Sequence, residues 1–364
     1  MCSRETSKLH LTRRVLLRAA SATMLSGVAA PALVGGAKAQ NVAINVASYG
    51  GVLNDYMTTL FAQPFEEEAG IRVNFGANAS LTLAELQITS GSAAQWDIVV
   101  LTGAEYVTAL NKNLLEPYDY KIVDATYAPP EYRGSHGIKI TNYLFGIAYD
   151  QRKLSDEQAP RTWAEFWDTS RYPGKRSLNS NVSDGSLLEA ALLADGVALN
   201  KLYPLDVDRA LRSLDRLGRK NITWHSTNQE PIQQLTSGAV ALATVFGGRV
   251  VLANRGGAQL GFRAEGSAVS GNLYCVIRTS ARKREAFQFI NYVLNKTTAD
   301  AKYMELTKYA IPNTRALALV SPETLSLLPT APELKDKVFI KDDVWWAANL
   351  AQVTTRFKEW QLAG

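Results

Sequence analysis

Residues 42–61 read VAINVASYGGVLNDYMTTLF, and their patterning decides the fold. Val42 to Ser48 has the composition of a strand, and Ser48-Tyr49-Gly50-Gly51 turns the chain. Leu53, Tyr56, Met57, Leu60 and Phe61 then recur at helical spacing, with Pro64 kinking or closing that helix. Downstream, Ile71 to Phe75 reads as a second strand after Gly70, Ser80 to Ser90 as a helix, and Asp97 to Leu101 as a third, buried strand. This β-α-β-α-β order is that of a largely parallel α/β sheet.

Working outward, Ile138 to Tyr149 is strand-like throughout and free of proline, after which a new helix starts around Thr162 to Trp167. A second α/β series follows: Arg176 to Leu178 (strand), Ser186 to Ala194, Val207 to Leu217 and Glu230 to Ser237 (helices), and Val240 to Phe246 (strand). Leu273 to Ile277 reads as a returning strand, and Ala286, Phe287, Phe289, Ile290, Val293 and Leu294 form one apolar helix face beyond it. Two crossover strands predict two lobes: a discontinuous first lobe of residues 40–146 and 276–364, and a second lobe of residues 147–275. Such a hinge implies closure around a ligand.

The first 39 residues read as an export signal. Thr12-Arg13-Arg14-Val15-Leu16-Leu17-Arg18 is a twin-arginine pattern, an Ala/Gly/Ser-rich apolar stretch runs from Ala19 to Gly36, and Ala37-Lys38-Ala39 offers a small-x-small cleavage site. The stretch is too often interrupted by Ser, Gly and Pro to read as a membrane anchor. It carries six basic residues (Arg4, Lys8, Arg13, Arg14, Arg18 and Lys38) against Glu5, out of 39 basic and 34 acidic residues in the chain, so the remainder is balanced at 33 of each. The net charge of +5 therefore belongs to the signal. Nothing left resembles the basic field that nucleic acid requires. Cys2 leaves with the signal and Cys275 stays alone, so no intrachain disulfide is expected.

Enzyme machinery is scarce. There is no GxxxxGK[ST], GxSxG, HExxH or CxxC motif, and only His136 and His225 remain after residue 39. No cofactor, metal or catalytic residue is predicted. Glu66-Glu67-Glu68 reads as a solvated helix end.

Open α/β sheets bind ligands at the carboxyl ends of their strands, and there the sequence places polar and glycine-rich loops. Tyr49 and Gly50 follow the first strand, where a tight turn is the plain alternative. Thr102 follows the third. Gly247-Gly248-Arg249 follows Val240 to Phe246, and Arg249 is the candidate anchor for a ligand's acid group, because a guanidinium holds a carboxylate bidentately; an exposed helix-start arginine is the alternative. Asp184 and Gly185 open a turn before a helix, where Asp184 supplies either an anion or a helix cap. Tyr143, Trp224 and Tyr274 are candidate cleft walls, with core packing as the alternative for each.

The ordered series Ser48-Tyr49-Gly50-Gly51, Trp96-Asp97-Ile98-Val99, Ala148-Tyr149-Asp150, Pro173-Gly174-Lys175-Arg176, Ala191 to Gly196, Gly248-Arg249, Tyr309 with Pro312-Asn313, Leu328 to Glu333 and Trp345-Trp346 spans nearly all of the chain beyond residue 39. It resembles the spermidine/putrescine-type periplasmic solute-binding proteins of ABC transporters. The resemblance implies a two-lobed periplasmic-binding-protein fold of type II, a ligand cleft at the hinge, a periplasmic monomer and delivery to an inner-membrane permease.

The chain departs from that pattern. Relatives commonly carry an acidic residue and then Tyr-Trp on the returning hinge strand, whereas Leu273-Tyr274-Cys275 stands here; their Asn-Gly-Arg is Gly247-Gly248-Arg249. A polyamine in a desolvated cleft needs paired carboxylates. Losing one while keeping Arg249 points to a small organic solute with a carboxylate and little or no positive charge. Polyamine binding with Asp184 compensating, and a secreted enzyme or metal-capture protein on the same scaffold, are the competing readings.

Overall fold

A computed structural model describes residues 42–77, 79–91 and 94–363; the expected export signal lies outside the described residues. The strands are β1 (Val42–Ala47), β2 (Ile71–Gly76), β3 (Ile98–Thr102), β4 (Ile138–Asp150), β5 (Arg176–Asn179), β6 (Ile222–His225), β7 (Leu242–Phe246), β8 (Leu260–Val276) and β9 (Phe339–Ile340). All nine join one sheet of order β2-β1-β3-β8-β4-β7-β5-β6, with β9 on β8. The groups β2-β1-β3 and β7-β5-β6 are internally parallel, while the long pair β4 and β8 between them is antiparallel to each other and to both neighbours.

Helices α1 (Gly51–Met57), α2 (Gln63–Ala69), α3 (Leu81–Thr89) and α4 (Gly103–Asn111) accompany the first group. Helices α5 (Trp163–Trp167), α6 (Leu187–Ala194), α7 (Val207–Leu217), α8 (Glu230–Thr236) and α9 (Gly247–Arg255) accompany the second, and α10 (Lys283–Asn295), α11 (Thr297–Thr307), α12 (Pro322–Leu327) and α13 (Asp343–Leu362) follow β8. Among the described residues no helix is long and apolar enough to cross a membrane.

Most predicted elements form within a residue or two of their expected bounds, because strand runs and amphipathic faces are both dense in apolar residues. Pro64 does not close the first helix. The helix runs on through a π-helical turn over Thr58–Ala62 into α2, and Pro64 falls in the first turn of that segment. The returning strand is much longer than Leu273 to Ile277, since β4 supplies partners all the way back to Leu260.

Strand alternation assigns β8 residues to opposite faces of the sheet. Tyr274 and Val276 join the main core with Ile44, Ile98 and Phe289, whereas Leu273 and Cys275 join a second apolar cluster with Ala47, Val99 and Leu101. The C-terminal helix α13 packs on both α4 and α7 and buries Trp346, Val353, Phe357 and Trp360.

Candidate functional site

The loops that follow β1, β3, β5 and β7 carry most of the predicted site residues. Tyr49, after β1, is 41% exposed as a whole residue, yet the surroundings of its phenol push its pKa well up: burial first, then the charges of Glu105, Tyr143 and Asp184. Tyr143 on β4 is 6% exposed. Its hydroxyl donates to Asn272 Oδ1 at 3.1 Å, and its ring meets Phe246 at 5.2 Å and Tyr309 at 5.3 Å between centroids. Burial and then the Asp184 carboxylate raise its pKa as well. The structure thus puts Tyr49, Tyr143 and Asp184, from three separate stretches of chain, within electrostatic range of one another.

Asp184 sits in the loop between β5 and α6. Burial lifts its carboxyl above the ordinary range, against the opposing effects of Lys341 and of Asn179, whose Nδ2 donates to Oδ2 at 3.4 Å. Gly185 is buried against the same Asn179, where an added Cβ would lie 2.6 Å from that residue's Cβ. Gly50 caps the start of α1 with φ 78°. Thr102 is occupied as the N-cap of α4: its N–H and hydroxyl donate to Glu105 Oε2 at 3.0 and 2.9 Å, and Glu105 Oε1 accepts from the Leu81 N–H at 3.2 Å. Its side chain is part of a helix cap, and Glu105 is held by two helix starts.

Arg249 lies in the first turn of α9. Gly248 beside it lets this turn approach closely: an added Cβ would stand 2.3 Å from the Tyr309 ring and 2.7 Å from the Thr307 carbonyl oxygen. A reciprocal backbone bridge fixes Tyr309 there, with Asn142 N donating to Ala310 O at 2.8 Å and Ala310 N donating back at 2.9 Å. The Arg249 guanidinium lies near Tyr303 and Tyr309, and its charge opposes the rise that burial imposes on both phenols. Half-buried, it makes no hydrogen bond or ion pair among the described residues. A cavity of about 540 Å³ opens beside it, lined also by Val52, Gln229, Gln233 and Leu252; Arg249 is the member of the predicted set that lines it.

Two predicted walls lie elsewhere. Trp224 on β6 stands edge-on to Phe357 and Trp360 of α13, 5.8 and 6.4 Å away, and serves helix packing. Tyr274 is 1% exposed in the main core, opposite Val100 and Ile138, with its carbonyl oxygen accepting from the Tyr118 hydroxyl at 2.7 Å. Leu273, the residue that stands for the expected acid, is buried in the second apolar cluster.

Sequence reasoning missed a charged group opposite Asp184. Lys341 and Asp343 flank the N-cap of α13, Asp342, whose Oδ1 accepts from Trp345 N at 2.8 Å. The Asp343 carboxylate rests against Gly103, where an added Cβ would fall 1.7 Å from Oδ2. Burial raises its pKa, opposed by Lys139 and Lys341. The sequence signal was the Lys341-Asp342-Asp343 run before Trp345-Trp346, which has the form of a helix start. Among the described residues no group of three or more His, Cys, Asp or Glu is placed to hold a metal ion. His225 is buried against Ser177 Oγ at 2.9 Å, and burial pushes its pKa down to about 4.

Comparison with known proteins agrees with this architecture. The family profile described as bacterial extracellular solute-binding protein matches residues 61–335. The γ-aminobutyric acid-binding protein of Pseudomonas aeruginosa is 29% identical over 336 residues, covering 90% of this chain and 94% of that one. The spermidine/putrescine-binding periplasmic protein 1 of Haemophilus influenzae is 24% identical over 304 residues, 80% and 82% of the two chains. Among solved structures, the periplasmic binding protein AgtB of A. tumefaciens R10 in complex with agropinic acid superposes with a TM-score of 0.79 at 25% identity, over 88% of this chain and 98% of that one. With its mixed α/β periplasmic-binding-protein fold and a profile match over most of its length, the chain belongs to the bacterial extracellular solute-binding proteins, the non-enzymatic solute-binding components of ABC importers.

Proposed function

We propose that this protein captures a small organic solute bearing a carboxylate, in a cleft between a first lobe of residues 40–146 and 276–364 and a second lobe of residues 147–275, and presents it to an inner-membrane permease after export by the twin-arginine route. The observation that carries the reading is Arg249, a half-buried guanidinium without a carboxylate partner among the described residues, beside Tyr303 and Tyr309. A cation in such a place is stabilised by an incoming oxyanion, and its planar fork suits a carboxylate. Tyr49 and Tyr143 form the walls, with the Gly50 and Gly185 loops at the rim. Two relatives, named for γ-aminobutyric acid and solved with agropinic acid, take solutes with acid groups.

A second reading, polyamine capture, is favoured by the Asp184 and Asp343 carboxylates near Tyr143 and by the relative named for spermidine and putrescine. One calorimetric panel decides between them: γ-aminobutyrate, agropinate, glutamate, putrescine and spermidine at low salt. An acid is expected to bind the wild type, and Arg249→Ala to lose about 2–4 kcal/mol of that affinity, roughly thirtyfold to a thousandfold. Acid binding that is unchanged in Arg249→Ala removes the anchor, and heat from the polyamines alone replaces the first reading by the second.

A further inference from the structure

Resting on the carboxylate reading, the geometry points to Lys341 as an internal counter-ion that occupies the cationic subsite of the cleft, so that the site admits solutes with one acid group and excludes diamines. Its place is set by backbone. Strand β9 pairs in parallel with β8 through Ala268 and Val269, and Lys341 N donates to Val269 O at 3.2 Å, ending the strand where the chain turns into α13. From there the side chain reaches across to the loop after β5, and Nζ donates to the carbonyl oxygen of Ser183, the residue before Asp184. The ammonium lies 5.0 Å from the centre of the Trp346 ring, a cation–π contact, and the residue is only 9% exposed.

The groups around it explain why a cation belongs there. Asp184 and Asp343 both feel its charge, and both act on the phenol of Tyr143. Each is a partly buried carboxylate whose charge a nearby cation stabilises, and Lys341 is common to both. A free ligand ammonium would do so, which is how a diamine would be held. Lys341 does so covalently tethered, with Lys139 adding to the effect at Asp343. The third acid near Tyr49, Glu105, is already spent on the starts of α3 and α4. Lys139 and Lys341 thus act on carboxylates, whereas Arg249 makes no ion pair among the described residues. The unmatched charge is positive, and it selects an anion.

The test removes the tether and keeps the carboxylates. Putrescine is titrated calorimetrically into wild type, Lys341→Met, Lys341→Gln and Lys341→Arg, with thermal melts to establish that each is folded, and γ-aminobutyrate and glutamate are titrated in parallel. Putrescine is expected to give no heat up to millimolar concentration with wild type and Lys341→Arg, and to bind Lys341→Met or Lys341→Gln at least tenfold more tightly, a gain that Asp184→Asn in the same background abolishes. Absence of that gain in whichever neutral variant folds overturns the counter-ion role, as does putrescine binding by the wild type comparable to that of the neutral variants. Failure of the carboxylate reading shows separately, as acid titrations that give no heat or ignore Arg249→Ala, whatever putrescine does.

Discussion

Two cations, Lys341 and Arg249, differ in what surrounds them. Lys341 is 9% exposed, bonded to Ser183 O, set over Trp346 and flanked by Asp184 and Asp343. Arg249 lies near the phenols of Tyr303 and Tyr309 and makes no hydrogen bond or ion pair among the described residues. Formal charge is the same in both places, yet only one retains the capacity to gain from an oxyanion. A binding group is recognised by unspent hydrogen-bonding capacity in a place that water does not fully reach, and residue type alone does not reveal it.

Substitutions at Gly248, Arg249 and Tyr143 probe this contrast. The largest effect on stability is expected from Gly248→Ala, because the new methyl would collide with the Tyr309 ring at 2.3 Å and with the backbone at Thr307 O, so relief requires moving α9 and Arg249 with it. A loss of about 1–3 kcal/mol in stability is expected, together with weaker acid binding; an unchanged midpoint in chemical denaturation would mean that α9 is not held by this contact. Arg249→Lys keeps the charge and loses the fork, and a fall in acid affinity of roughly tenfold, about 1.4 kcal/mol, is expected by calorimetry, since a point charge replaces a bidentate donor. Full affinity in the lysine variant would make the site one that reads charge alone. The smallest effect belongs to Tyr143→Phe, which removes the hydroxyl bonded to Asn272 Oδ1 while keeping the ring contacts to Phe246 and Tyr309. It should cost about 0.5–1.5 kcal/mol in denaturant unfolding and leave the discrimination between acids and diamines in place.

Much of the fold is legible in the sequence because its elements are locally encoded. The helix over Val207–Leu217 has the bounds its apolar spacing predicts, and the first three strands fall within a residue or two of theirs. Strand β8 shows only a fraction of its length to a sequence reading, since Gly261, Arg263, Glu265 and Gly266 give its first half no strand signature and its hydrogen bonds come from β4, more than a hundred residues away. The same non-local dependence governs the site. Loops at strand ends locate Tyr49, Asp184 and Arg249, but whether Tyr274 or Trp224 faces a cleft or a core depends on register and on α13, neither of which periodicity reveals. Lys341 and Asp343 are invisible for the complementary reason: their importance comes from Ser183 and Gly103, about 160 and 240 residues upstream.

The central pair of strands carries one more consequence. Between Ile138 and Asp150, β4 keeps β8 as its partner but shifts register twice, between Lys139 and Thr141 and between Phe145 and Ile147. Irregularities of this kind concentrate twist and let a ladder bend without coming apart. The pair therefore carries two irregular points, one on each side of Tyr143. Rotation of one parallel group against the other would be taken up at these points, turning Tyr143 relative to Tyr49 while the Asn142–Ala310 bridge keeps Tyr309 beside it.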